Sequence, residues 1–215
     1  PERPVTFGYF GRAQKITDRM LAVWARILLS TPDSRLIIKS SDLRDPAHRD
    51  HLLDLLVGLG VSSRRVELRG ESSRKEHLEQ HNDIDVALDT SPIGGGTTTL
   101  DACMMGVPTV TLLGETVSGR VSASILTAIG EETRIARSLG EYTCNAVLVG
   151  AWIHAGVWSD QSRHALRTAF LDSIMCDGPR FGASVEEQYR LAWRSWCATQ
   201  NDVYDESRAM WTERV

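Results

Sequence analysis

The chain has 215 residues, with 24 Lys+Arg against 28 Asp+Glu, a formal net charge of -4, 42% hydrophobic and 24% charged residues. That balance suits one large globular domain or two small ones with a proper core, and it excludes a disordered tail. No block of like charge supplies the footprint of a nucleic-acid binder, and the longest mostly apolar stretch, Ala146 to Trp158, falls short of the roughly 20 residues a bilayer span needs.

The sequence opens at Pro1 without a basic, then apolar, leader, and the missing Met suggests an excerpt of a longer protein. Val5 to Phe10 is β-prone and is followed by Gly11; Met20, Leu21, Trp24, Ile27 and Leu28 then recur at helical spacing. Arg35 to Lys39 is a second strand, followed by a helix whose Leu52, Leu55, Leu56 and Leu59 form one stripe ending at Gly60. Val66 to Leu68, a polar helix from Ser72 to Asn82, and a central strand Asp85 to Asp89 continue the alternation. The loop Thr90 to Gly96 leads into a helix from Thr97, then come a fifth strand, Pro108 to Leu113, and a short sixth around Arg134 to Ala136.

Strands separated by one helix each cannot pair as hairpins, so the fold class is α/β, a Rossmann-like doubly wound parallel sheet. Residues 1–138 form this core, and 139–215 read as a C-terminal helical extension packing on the same lobe, with helices at Glu141 to His154, Ser159 to Met175 and Val185 to Thr199. The last carries Tyr189, Trp193 and Trp196 on one face, read as core or as a face that docks on a missing domain. Cys103, Cys144, Cys176 and Cys197 are widely spaced without a CxxC pair, which points to reduced thiols, a cytoplasmic setting and no metal site.

In an open parallel sheet a ligand binds beyond the carboxyl ends of the strands, where strand order reverses. For the order 3-2-1-4-5-6 that point lies between the first and fourth strands, the two that end in glycine-bearing loops, at Gly8 to Gly11 and at Gly94, Gly95 and Gly96. Glycines followed by Thr97 and Thr98 at a helix start offer amides and hydroxyls to a phosphate. Lys15, before the first helix, is placed against the positive end of the macrodipole unless an anion lies between, and Arg12 adds to the case for an anion. Asp101, one turn into the Thr97 helix, suits a ribose diol or simply the helix dipole. No GxGxxG follows the first strand, and the second ends in Lys39 rather than an acid, which argues against NAD; P-loop, nucleophile-elbow and DxD signatures are also missing.

The segments Phe7-Gly-Tyr-Phe-Gly-Arg-Ala-Gln-Lys-Ile16, Ser72-Ser-Arg-Lys-Glu-His77, Ala87-Leu-Asp-Thr-Ser-Pro-Ile-Gly-Gly-Gly-Thr-Thr-Thr-Leu-Asp101, Gly106-Val-Pro-Thr-Val-Thr111 and Gly119-Arg-Val-Ser-Ala-Ser124 resemble the C-terminal half of SPINDLY-like bacterial O-GlcNAc transferases. Cys176 to Phe181 and Tyr189 to Trp193 also look like that family's tail. The resemblance implies the donor lobe of an inverting GT-B glycosyltransferase that works without a metal or other cofactor. By it, Lys15 matches the lysine that neutralises the leaving diphosphate, Thr97 and Thr98, with Gly95 and Gly96, the phosphate site, Asp101 the ribose carboxylate, and Arg74 and His77 the base pocket. Arg12 and Gly96 stand where animal members have glutamine and histidine, which leaves the donor preference open: by the resemblance UDP-GlcNAc is the default, with GDP-fucose and UDP-glucose as alternatives. The protein acceptor, and helical repeats that present it, belong by the resemblance to a missing N-terminal half. A non-catalytic sugar-nucleotide-binding module and an epimerase of the same fold are the rival readings.

Overall fold

The structure is a computed structural model and describes residues 4–212, with side chains to 199. Six strands form one parallel sheet in the order β3-β2-β1-β4-β5-β6, with β1 Thr6–Phe10, β2 Arg35–Lys39, β3 Val66–Arg69, β4 Val86–Leu88, β5 Thr109–Leu112 and β6 Ile135–Ala136. Phe7 stands beside Leu36 on one side and Val86 on the other, so β1 is the central strand at the switch point. All its residues are buried, the pattern of a strand covered on both faces rather than one that alternates.

Every crossover helix but the one after β4 starts at a side chain that caps a free amide. Thr17 accepts from the Met20 amide to begin α1 (Asp18–Ser30), and Asp45 accepts from the Ala47 amide to begin α2 (Pro46–Gly58), with Pro46 in the first turn where no amide partner is lost. The stop expected at Gly60 is there: its φ of 90° is open to glycine, and its amide and that of Val61 return to the Val57 and Leu56 carbonyls. Ser73 and Glu76 form a capping box on α3 (Arg74–Glu79), shorter than the helix expected from Ser72 to Asn82 because a 3₁₀ turn takes over at Gln80–Asp83. Then follow α4 (Thr97–Met104) and α5 (Val117–Ala128), the latter capped by Thr116.

The compact unit extends to Ser173 rather than ending at 138, so α6 (Leu139–His154) and α7 (Asp160–Leu171) belong to the unit that holds the sheet. Tyr142 of α6 explains the attachment. It is fully buried beside Trp24 of α1, whose indole N–H lies 3.4 Å from its hydroxyl, and that hydroxyl donates at 2.8 Å to the carbonyl of Asp89. The core thus reaches the loop that follows β4.

The second unit, from Ile174, holds α8 (Gly178–Thr212). It begins earlier than the helix expected from Val185, since Pro179 is tolerated in a first turn. The aromatic stripe is not core: Tyr189 and Trp193 are mostly exposed, and Trp193 stacks on Trp196 with ring centroids 5.1 Å apart. A single long helix has no second element of its own unit against which to bury a face.

Candidate functional site

At the carboxyl ends of β1, β2 and β4 lies an open cleft of about 710 Å³, with Arg12, Lys15, Lys39 and Arg74 on its wall against one carboxylate, Glu71. Glu71 is itself paired with Arg44 at 2.7 Å. An excess of cation in a concave site selects an anionic ligand.

The glycine loop forms one wall, and a buried carboxylate organises it. Asp89, just past β4, accepts from the Thr90 amide at 2.8 Å, the Gly95 amide at 2.7 Å and the Thr111 hydroxyl at 2.7 Å. Burial pushes its carboxyl above the usual range, against those hydrogen bonds. Ser122 of α5 donates to the Gly95 carbonyl at 2.8 Å, and the Gly94 amide bonds the Ser118 carbonyl at 3.1 Å. The amides of Gly94 and Gly95 are therefore committed inward, which narrows the anion-binding set expected of this loop. The amides of Gly96, Thr97 and Thr98 at the start of α4 find no acceptor among the described residues, nor do the hydroxyls of Thr97 and Thr98 find a partner there. A side chain on Gly95 would run into the hydroxyls of Thr98 and Thr99, so glycine is required there by space.

Lys15 closes a 3₁₀ turn, Ala13–Lys15, and its Nζ crosses the cleft to donate to the Gly94 carbonyl at 2.8 Å. The charge is thus aimed at the glycine loop rather than at the start of α1. Arg12 beside it is exposed, with its backbone held by a 2.9 Å bond from the Tyr9 hydroxyl to its carbonyl.

The opposite wall brings together Arg74, His77 and Asp101. Arg74 grips the Asp101 carboxylate with two hydrogen bonds of 2.6 Å, and His77 Nε2 stands 3.4 Å from Oδ2. Asp101 is 3% exposed, and although burial raises its pKa, the Arg74 hydrogen bonds and the His77 contact hold the carboxyl far below the usual carboxylate range. Arg12, Lys15, Arg74, His77, Gly96, Thr97 and Thr98 line the cleft; Gly95 and Asp101 lie behind its wall.

Sequence reasoning missed Lys39 and Asp89. Lys39 was read only as a non-acidic strand end, yet its Nζ lies 2.5 Å from Ser72 Oγ and 3.1 Å from His77 Nδ1, and burial, with Arg69 nearby, lowers its pKa. Its place at the end of the strand next to β1 was the available signal. Asp89 gave none, because its partners are split between the loop after β4 and Thr111 of β5, 22 residues away. Among the described residues no cluster of three or more His, Cys, Asp or Glu is placed to hold a metal ion, and the four cysteines are free.

The family model for glycosyl transferase family 41 matches residues 1–168. The chain belongs to that family. A probable UDP-N-acetylglucosamine–peptide N-acetylglucosaminyltransferase SPINDLY from Solanum lycopersicum is 36% identical over 194 residues, covering 90% of this chain and 20% of the relative. A Caenorhabditis elegans UDP-N-acetylglucosamine–peptide N-acetylglucosaminyltransferase is 30% identical over 173 residues, 77% of this chain and 15% of its own length. This family 41 chain therefore spans about a fifth of the length of the plant relatives it matches. Among solved structures, a mutant O-GlcNAc transferase of Thermobaculum terrenum superposes with a TM-score of 0.82 at 38% identity, covering 91% of this chain and 37% of that one. The described helices include none long and apolar enough to cross a membrane.

Proposed function

We propose that this family 41 chain is the donor-binding lobe of a cytoplasmic transferase that moves GlcNAc from UDP-GlcNAc to protein Ser/Thr hydroxyls, with inversion and without a metal ion. The observation that carries the reading is the cationic cleft in which Lys15 faces the unpaired amides of Gly96, Thr97 and Thr98 across the switch point. A diphosphate between them would meet a point charge on one side and a helix N-terminus on the other. The relatives' names support the sugar nucleotide and the peptide acceptor.

In such a transfer the acceptor hydroxyl oxygen bonds to the anomeric carbon as the bond from that carbon to the diphosphate oxygen breaks, and UDP departs with the electron pair. Charge grows on the leaving diphosphate, and Lys15 with the α4 amides would stabilise it, the part a divalent ion plays in metal-dependent transferases. Arg12 would extend the same charge. Arg74, His77 and Asp101 would hold the nucleoside, with Asp101 as the acceptor for ribose hydroxyls. The proton of the acceptor hydroxyl passes to a base on the facing half, together with the surfaces that seat the protein substrate.

The test is thermal unfolding with UDP, GDP and NAD in EDTA. At about 100 times its dissociation constant UDP should stabilise the fold by roughly 2.7 kcal/mol. Stabilisation by NAD alone, or none by either UDP or GDP, overturns the reading.

A further inference from the structure

We propose that Lys39 is a positioning residue of the site: by donating to His77 Nδ1 it holds the imidazole as the Nε2–H tautomer, so that His77 turns its one N–H toward Asp101. Lys39 ends β2, is 4% exposed, and has its ammonium held by Ser72 Oγ and His77 Nδ1. An ammonium has donors and no acceptor, and at 3.1 Å from Nδ1 it demands a lone pair there. The ring proton must then sit on Nε2, which stands 3.4 Å from Asp101 Oδ2.

The surroundings leave the ring little freedom to turn over. His77 lies edge-on to His81 with centroids 5.1 Å apart, and His81 in turn packs edge-on against Phe10 at 4.7 Å. The Nδ1–H of His81 donates to the His77 carbonyl at 2.9 Å, fixing the backbone that carries the ring. Ser72, at 2.5 Å from Lys39 Nζ, anchors the ammonium from the other side.

The consequence lies at Asp101. A carboxylate offers about four acceptor positions. Arg74 takes one on each oxygen and His77 takes a second on Oδ2, which leaves the remaining position on Oδ1. In the other tautomer a lone pair of Nε2 would face Oδ2 and repel it, and the carboxylate would be held by Arg74 alone, a side chain 58% exposed. Lys39 therefore sets which oxygen of Asp101 keeps an unused acceptor position; that a ligand hydroxyl takes it rests on reading the cleft as a nucleotide site, whereas the tautomer does not.

The experiment uses the 215-residue chain, ¹⁵N-labelled, with two-bond ¹⁵N–¹H correlations of the His77 ring recorded near about pH 8, where an ordinary imidazole is neutral. The expected spectrum shows a protonated Nε2 and a bare Nδ1. Lys39→Met should let the Nδ1–H form appear beside the Nε2–H form that the Asp101 carboxylate still favours, and Lys39→Arg, again a donor without an acceptor, should restore the first pattern. By calorimetry, Lys39→Met should weaken UDP binding by roughly tenfold, and most of that loss should vanish in a His77→Ala background, because Lys39 acts through His77. A wild-type ring protonated on Nδ1, or an unchanged Nε2–H ring in Lys39→Met, overturns the proposal. So does a full tenfold loss in the His77→Ala background, which would mark Lys39 as a simple counter-charge. A wild-type chain that fails to bind UDP overturns the nucleotide reading instead, while the ring spectrum still decides the role of Lys39.

Discussion

Replacing Asp89 separates the geometry of the glycine loop from its charge. In Asp89→Ala the buried amides of Thr90 and Gly95 lose their acceptor and the Thr111 hydroxyl loses its partner. A buried donor left unmade costs about 1–3 kcal/mol, and the Thr111 hydroxyl can rotate, so the two amides set a loss of about 2–6 kcal/mol. Asp89→Asn keeps Oδ1 for both amides and turns an NH₂ toward Thr111, which can accept. It also removes the cost of burying a carboxylate, so its loss should stay within about 1 kcal/mol. Urea unfolding measures both, and calorimetry with UDP should show Asp89→Ala weakened by more than about tenfold with Asp89→Asn close to wild type. Equal losses in the two variants would refute the reasoning, since the charge rather than the acceptor geometry would then hold the loop. An Asp89→Ala loss below about 1 kcal/mol would show that the loop keeps its shape without this hub.

His81 is buried and its pKa is lowered from 6.5 to about 4, first by desolvation. The unfolded chain then binds the extra proton as pH falls below 6.5, so stability is full above that value and lost progressively down to about 4, by roughly 3 kcal/mol in all. Unfolding free energies across that window should show the slope in wild type and a flatter line in His81→Phe; parallel lines count against the assignment. Lys15→Ala should leave the unfolding midpoint nearly unchanged, because the side chain is partly exposed and makes one hydrogen bond, to Gly94. In the full-length enzyme it should lower single-turnover transfer more than UDP affinity, and an unchanged rate would remove Lys15 from the chemistry.

The alternation of apolar runs with amphipathic stretches was enough to expect a parallel doubly wound sheet; the usual order 3-2-1-4-5-6, assumed with it, is the order found, and the cationic cleft lies at its switch point. The signals for most helix starts are local, since Thr17, Asp45, Ser73, Thr116 and Ser138 cap through bonds spanning two or three residues, yet the sequence reading named none of these caps and left out α5. Local spacing could show Lys15 and Asp101 as candidates but not where their charges point. The 2.8 Å contact from Lys15 to Gly94 joins residues 79 apart in sequence, and the Arg74 grip on Asp101 joins residues 27 apart. Nor could it show that the amides of Gly94 and Gly95 are turned inward, a choice made by Asp89, Ser118 and Ser122 from other elements. Periodicity is written in the chain because neighbours on one helix or strand share a face. A buried polar group must instead find its partner wherever the packed chain supplies one, so Asp89, Lys39 and the tie from Tyr142 to the β4 loop were decided only by the tertiary structure.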